Sequence, residues 1–305
     1  MDTLYILLIF LSLYYIIKFR KYMYRPQFYD KTVWITGASS GIGECLAYEF
    51  SRLGARVILS ARNLSELERV AKRCREVSIH TELDGIRIIP LDLSDAETTM
   101  NTIRLALKST SVDILVNNAG MSQRSTCLET CESLTVEKKV FELNVFGTFA
   151  ATKAILPHFV AKKSGQIVVI NSVSGLVGVP VRTSYCASKF ALVGYFEALR
   201  AELAEYDISV TNIYPGYVRT NVSKNAINSE GSKFGKTDSE IENGMDPTQF
   251  AREAVRAIFS KEKELIIAPF KLRAAVFLKS FCPAALRWML EKRAKHQLET
   301  RAKAK

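Results

Sequence analysis

Between about Lys31 and Pro269, short strand-like apolar runs alternate with helix-length amphipathic segments. This rhythm predicts a parallel sheet with right-handed helical crossovers. Strands are expected at residues 32–36, 56–60, 86–90, 112–116, 166–171, 209–213 and 265–268. Helices are expected at 42–53, 65–77, 95–108, 137–160 (despite Pro157), 183–205 and 248–259. The fold class is therefore α/β, a single doubly wound domain with a seven-stranded parallel sheet. No internal repeat or long Pro/Gly/Ser linker interrupts the region, so residues 30–270 read as one domain.

Both ends break the rhythm. Residues 4–17 are almost continuously apolar, and Lys18, Arg20, Lys21 and Arg25 follow them, so residues 1–25 read as a membrane anchor. An apolar run of about 14 residues is roughly 21 Å of helix, enough for a thin bilayer or a shallow interfacial seat. Tyr14, Tyr15, Tyr22 and Tyr24 suit an interfacial aromatic belt, and the basic cluster after the run favours a cytosol-facing domain on a membrane such as the endoplasmic reticulum. A secretory signal peptide would carry its positive charge ahead of the apolar run and a small-residue cleavage site behind it, and neither is present.

At the other end, residues 271–305 form a basic amphipathic extension. Phe, Leu, Ala and Trp288 alternate there with Lys271, Arg273, Lys279 and Arg287, a composition that suits helices on a membrane surface, a dimer interface or the core. The net charge of +11 sits at these ends: residues 1–31 carry five Lys/Arg against two acids, and residues 261–305 carry twelve against four. The neutral middle argues against nucleic acid as a partner; the charged flanks suit an anionic membrane surface or solvated tails.

Six cysteines without a CxxC pair imply reduced thiols, and Cys127 and Cys131 lack matching histidines, so no metal site is expected. His80, His158 and His296 stand singly and read as surface or packing residues. Residues 221–244 are polar, glycine-bearing and weakly periodic, which suits a mobile flap over a substrate or a disordered surface loop.

Two patterns carry chemistry. Gly37, Gly41 and Gly43 follow the first strand and open a helix, the context in which backbone can approach a pyrophosphate at a helix N-terminus. Near the end of the second strand, where an acid would meet a ribose 2′-hydroxyl, the chain has Ser60-Ala61-Arg62; Arg62 can pair with a 2′-phosphate, which favours NADP(H) over NAD(H). Asp92, past the third strand, is placed to touch adenine or to cap the next helix. Tyr185 and Lys189 are four apart on a predicted helix and share a face, so the ammonium can lie beside the phenol and favour its phenolate.

The motifs Thr36-Gly37-Ala38-Ser39-Ser40-Gly41-Ile42-Gly43, Asn117-Asn118-Ala119-Gly120, Asn144, Ser172, Tyr185-Cys186-Ala187-Ser188-Lys189 and Pro215-Gly216 occur in an order that resembles the short-chain dehydrogenase/reductase family over residues 30–270. The stretch 117–125, the Ser60-Ala61-Arg62 turn and the N-terminal apolar run are most similar to its dehydrogenase/reductase member 7 branch, near the 11β-hydroxysteroid dehydrogenases. The resemblance implies a Rossmann fold and a tetrad of Asn144, Ser172, Tyr185 and Lys189.

In that tetrad Ser172 would hydrogen-bond a substrate carbonyl and Tyr185 would exchange its proton. Lys189 would lower the tyrosine pKa and grip the nicotinamide ribose, and Asn144 would hold a relay water. It further implies cofactor contacts from Gly37, Ser39, Ser40, Gly41, Ile42, Gly43, Arg62, Asp92, Asn118, Tyr185, Lys189, Val218 and Thr220. The expected activity is hydride transfer between NADP(H) and a lipophilic carbonyl or alcohol, such as a steroid, a retinoid or a fatty-chain ketone. A cofactor-binding scaffold or sensor without significant turnover is the alternative, and the oligomeric state, a homodimer included, is left open.

Overall fold

A computed structural model describes residue 5 and residues 26–79 and 85–303 of the 305-residue chain. The anchor expected over residues 1–25, with its tyrosines, and His80 therefore lie outside the described residues, Tyr5 apart. Among the described residues no helix is long and apolar enough to cross a membrane.

Seven strands form one sheet: β1 (Thr32–Thr36), β2 (Arg56–Ser60), β3 (Ile86–Ile88), β4 (Ile114–Asn117), β5 (Gly165–Ile170), β6 (Ile208–Pro215) and β7 (Glu264–Ile267). Their spatial order is β3-β2-β1-β4-β5-β6-β7, and every neighbouring pair is parallel, with Val33 opposite both Val57 and Ile114. Strand order reverses direction between β1 and β4, which opens a crevice above the carboxyl ends of those strands.

The sheet is buried on both faces, as a parallel sheet must be, and period-2 alternation divides its side chains between two cores. Val33, Ile35, Val57 and Leu59 pack under helices α1 (Gly41–Arg52), α2 (Leu64–Val77) and α8 (Pro247–Phe259), through Leu46, Phe50, Leu67, Val70 and Phe250. Trp34, Ile58, Leu115 and Ile167 face α3 (Ala96–Leu107), α5 (Gly147–Lys162) and α6 (Thr183–Glu202), through Ile103, Ile155, Phe159 and Phe196. Each large side chain so buried is worth about 1.5–3 kcal/mol. Polar groups within the layers are tied: Trp34 Nε1 donates to Ser60 Oγ at 2.8 Å, and Ser60 Oγ donates to the Ile89 carbonyl at 2.6 Å, joining β1 and β2 to the residue that follows β3.

Several elements differ from the pattern reading. β6 extends to Pro215 because β7 pairs with it from Asn212 to Pro215, so pairing outlasts the apolar run. The helix expected at 137–160 starts at Thr135 as α4 (Thr135–Phe141), then widens into a π-turn over Glu142–Phe146 before α5 continues past Pro157.

Residues 221–244 pack down onto the body: Ser223, Ala226 and Ile227 are buried, and a short helix α7 (Ser239–Glu242) closes the segment. The Ile227 N–H donates to the Ser122 carbonyl, and the Ile227 carbonyl accepts from the Arg124 N–H at 2.8 Å. This segment is thus a docked cover.

The C-terminal extension forms α9 (Phe270–Phe281) and α10 (Pro283–Lys303). α9 leaves Phe270, Phe277 and Phe281 exposed, the last two stacked at 4.2 Å. α10 is pinned back by Arg293, which donates to Tyr217 Oη at 2.8 Å and pairs with Glu240, and by Arg301, which pairs with Glu129.

Candidate functional site

A cleft of about 540 Å³ runs along the carboxyl ends of the strands. One end lies over the β1–α1 turn. Gly37 and Gly41 adopt positive φ (65° and 62°), and Gly43, buried in the first turn of α1, has no room for a side chain: a Cβ there would sit 2.3 Å from the Gly37 carbonyl oxygen. Asn118 fixes this turn, its Nδ2 donating to the carbonyls of Thr36 (2.9 Å) and Gly37 (3.1 Å), while the Thr36 hydroxyl accepts from the N–H groups of Asn118 and Ala119.

Ser40 is the N-cap of α1 and its side chain makes no capping bond; Glu44 in the first turn accepts from the Gly41 N–H, and Gly41 and Ile42 line the cleft. Such a helix end is positive and suited to phosphate. Ser39, Ser40, Ile42, exposed Arg62 and Asp92 line the same end. Asp92 accepts from the N–H and hydroxyl of Ser94, and it is Asp95 that caps α3, accepting from the Thr98 N–H, so the helix-cap alternative for Asp92 falls to its neighbour. Thr220 stands against Gly41, and Val218, buried, is bridged to Met245. The glycine cradle, the N-terminal end of α1 and Arg62 together fit a phosphorylated dinucleotide.

The middle of the cleft is lined by three of the tetrad positions, Ser172, Tyr185 and Lys189, and Asn144 lies buried behind it. α6 carries Tyr185 and Lys189 on one face, and Ser172 follows β5, its Oγ capping the turn at 173–175 by accepting from the Ser174 N–H. Tyr185 opens partly to the cleft. Lys189 is 4% exposed; its Nζ donates to the Ile170 carbonyl at 3.2 Å and lies 6.0 Å from the centre of the Tyr185 ring. Burial without a carboxylate partner pushes Lys189 down to about 8.

The tyrosine departs from the expectation drawn from spacing. Burial raises its pKa, a hydrogen bond from the Ser172 hydroxyl lowers it, and the opposing charges are those of Arg124 and Arg182. Asn144 is fully buried in the π-turn and both ends of its amide are occupied: Oδ1 accepts from the Met121 N–H at 2.8 Å, and Nδ2 donates to the Met121 carbonyl and to Ser188 Oγ. The structure therefore shows it bracing the strand β4 loop against α6. π-Turns of this kind recur at functional sites.

The other end was not anticipated. Arg124 and Arg182, 6% and 7% exposed, line the cleft beside Tyr185 and share one carboxylate, Asp238, at 3.6 Å and 2.5 Å. Arg182 is delivered by Val181, a β-branched residue held at φ 63°, a conformation costing about 1–3 kcal/mol. No local motif announces this cluster; the Arg in the stretch 117–125 was its one visible member. All six cysteines are free, and His158 packs against the backbone of Val112. Among the described residues no group of His, Cys, Asp and Glu could hold a metal.

Crevice, glycine turn and tetrad positions place the molecule in a class, and comparison with known proteins agrees. Residues 31–231 match the family model described as short chain dehydrogenase, and the chain belongs to the short-chain dehydrogenase/reductase family of oxidoreductases. It is 42% identical over 272 residues to the human dehydrogenase/reductase SDR family member 7, covering 88% of this chain and 79% of that protein. It is 37% identical over 270 residues to member 7B of Xenopus tropicalis, covering 88% and 87%.

Among solved structures, a short-chain dehydrogenase/reductase from Burkholderia phymatum in complex with NAD shares the fold, with a TM-score of 0.70 at 23% identity over 83% of this chain and 93% of that one. A putative NAD(P)-dependent gluconate 5-dehydrogenase from Beutenbergia cavernae with bound NADP has a TM-score of 0.68 at 26% identity, over 79% and 96%.

Proposed function

We propose that this chain is a membrane-associated oxidoreductase that uses NADP(H) to interconvert a lipophilic carbonyl and its alcohol, with Tyr185 as general acid and base. The carrying observation is the alignment within one cleft of the glycine cradle, Ser172, Tyr185 and buried Lys189. Solved relatives with NAD or NADP bound support a nicotinamide dinucleotide, and Arg62 at the cradle's rim supports the 2′-phosphorylated form. A nicotinamide dinucleotide held by the glycine turn and Arg62, with Lys189 at its ribose, would supply or take up the hydride.

The protein's own residues do the rest. Ser172, whose one hydroxyl proton points to the Tyr185 phenol, would turn it to the carbonyl oxygen of a bound substrate and orient that oxygen toward the phenol. Tyr185, whose pKa burial raises, is held protonated at neutral pH, the form needed to donate to a developing alkoxide. Lys189, held down at about 8 by burial, can gain or lose a proton near neutrality, 6.0 Å from the centre of the Tyr185 ring. Asn144 keeps the β4 loop and α6 in register. The aromatic side chains exposed on α9, whose Leu272 lines the cleft, support a membrane-facing entrance for an apolar substrate.

Purified full-length protein in neutral detergent, supplied with NADPH or NADH and a panel of steroid, retinoid and fatty-chain ketones, is expected to oxidise NADPH with at least one of them. Binding of NADPH with no turnover of any panel member would support the scaffold reading instead.

A further inference from the structure

We infer that the cleft beyond Tyr185 is an oxyanion subsite built on Arg124 and Arg182, and that the substrate carries a carboxylate or phosphate within reach of its reacting carbonyl. This rests on the proposed oxidoreductase function and narrows its substrate to an amphipathic one.

Both guanidinium groups are more than nine-tenths buried, and both line the cleft that also holds Tyr185 and Ser172. A purely structural pairing with Asp238 would need one arginine; two leave a positive charge uncompensated inside the protein, which is costly. Arg124 shows the imbalance. Its Nη1 donates to Ser122 Oγ (2.5 Å) and the Gln123 carbonyl (2.9 Å), its Nη2 stands 3.6 Å from Asp238, and its Nε, buried, has no hydrogen-bond partner. Burial and the neighbouring Arg182 push Arg124 down to about 10.

Buried Lys189 and exposed Lys233 also line the cleft. Among the described residues that line the cleft the sole acid is Asp92, beside Arg62 and Asn63 in the chain fold of the cradle end. A planar guanidinium pair around one missing negative charge matches the geometry of a carboxylate or phosphate, which accepts parallel N–H bonds from a guanidinium fork. The strained Val181 that inserts Arg182, and the docked cover that supplies Asp238, are then parts of a substrate pocket.

The test uses full-length protein with saturating NADPH and two matched pairs: 4-oxo-4-phenylbutanoate against its methyl ester, and 2-hydroxyacetophenone phosphate against 2-hydroxyacetophenone. Dissociation constants are measured by calorimetry, and turnover is followed separately. The anion of at least one pair is expected to bind about tenfold or more tightly than its neutral partner, and the pair that responds tells carboxylate from phosphate. Arg124→Gln is expected to bring that ratio toward one, Arg124→Lys to keep part of it, and Asp238→Asn, which frees positive charge, to raise it.

Opposite movements in these variants are not what a loss of packing produces. Should Arg124→Gln fail to fold, the wild-type ratio decides alone. Ratios near one for both pairs, or a preference untouched by a folded Arg124→Gln, overturn the subsite. Anion preference without turnover would sink the oxidoreductase reading and keep the subsite; turnover of the neutral partners without anion preference would do the reverse.

Discussion

The two ends of the cleft are made of different material. The cradle end is backbone: Gly37, Gly41 and Gly43, the first-turn N–H groups of α1, and an Asn118 amide spent on holding main-chain carbonyls in place. The far end is side chain: Arg124, Arg182 and Asp238 come from three distant stretches and meet through ion pairs. A dinucleotide phosphate is a constant partner, and a fixed backbone shape serves it; a substrate varies, and side chains carried on loops can change without disturbing the sheet. Tyr185 stands at the junction, with Ser172 hydrogen-bonded to its phenol and the two arginines acting on it through space.

The junction is where the largest effect is expected. Tyr185→Phe removes only the proton donor, so turnover should fall about 10²–10⁴-fold, while NADPH affinity, measured by fluorescence titration, stays within a few fold. Retained turnover would dissolve the distinction between a binding end and a reacting centre.

Glycine substitution sharpens the contrast next. In a helix, Ala is ordinarily better than Gly by about 1 kcal/mol. Gly194, exposed in α6 with open space around its Cβ, should obey: Gly194→Ala raises stability by about 0.5–1 kcal/mol. Gly43→Ala drives a methyl into the Gly37 carbonyl at 2.3 Å and Asn118 Nδ2 at 2.4 Å, so it should destabilise by about 1–3 kcal/mol and weaken NADPH binding at least as strongly. Urea midpoints of the two variants moving in the same direction would contradict a cradle built by close backbone approach.

This asymmetry also explains what could be read from the chain. The cradle, the seven strands and the Tyr185–Lys189 spacing were legible because each depends on residues within a few positions of one another: apolar runs, glycines after a strand, an i,i+4 pair. The π-turn around Asn144 was not, since it arises where helix, β4 loop and α6 must all accommodate one buried amide. Nor was the docked cover: the polar composition of residues 221–244 suits solvent, yet Ile227 and Ser223 bury themselves by pairing with Ser122 and Asp238, more than a hundred residues upstream in one case. The shift on Tyr185 was misjudged for the same reason. Spacing revealed the lysine but not the burial that raises the tyrosine pKa, nor the arginines that the fold brings near it.

Lys189 offers a test of that burial. A lysine depressed from 10.5 to about 8 penalises the folded state fully below pH 8, where it is charged whether folded or not. Between about pH 8 and 10.5 the unfolded chain binds the extra proton, so this contribution makes stability rise with pH, by about 3 kcal/mol at most. Groups with raised pKa, such as Cys45 and Cys74 at about 11, work the other way and cancel when a variant is compared with the parent. The unfolding free energy of the parent minus that of Lys189→Met should therefore climb across pH 8–10.5 in the cofactor-free protein. A flat difference would mean that the ammonium is solvated, and the middle of the cleft would lose its distinction from the exposed rim.

That rim supplies the smallest effect. Arg62 is, with Asp92, one of two charged side chains proposed to meet the cofactor at an end otherwise built of backbone, and it is exposed, so solvent weakens what it contributes. A charge-assisted contact with a 2′-phosphate in such a place is worth roughly 1–2 kcal/mol. Arg62→Ala should lower the ratio of NADPH to NADH affinity about tenfold while leaving NADH affinity near its starting value, because the glycine turn and helix end still hold the pyrophosphate. A fall in both affinities together would make Arg62 part of the cradle itself, and an unchanged ratio would move the choice of cofactor to other residues of the β2 end.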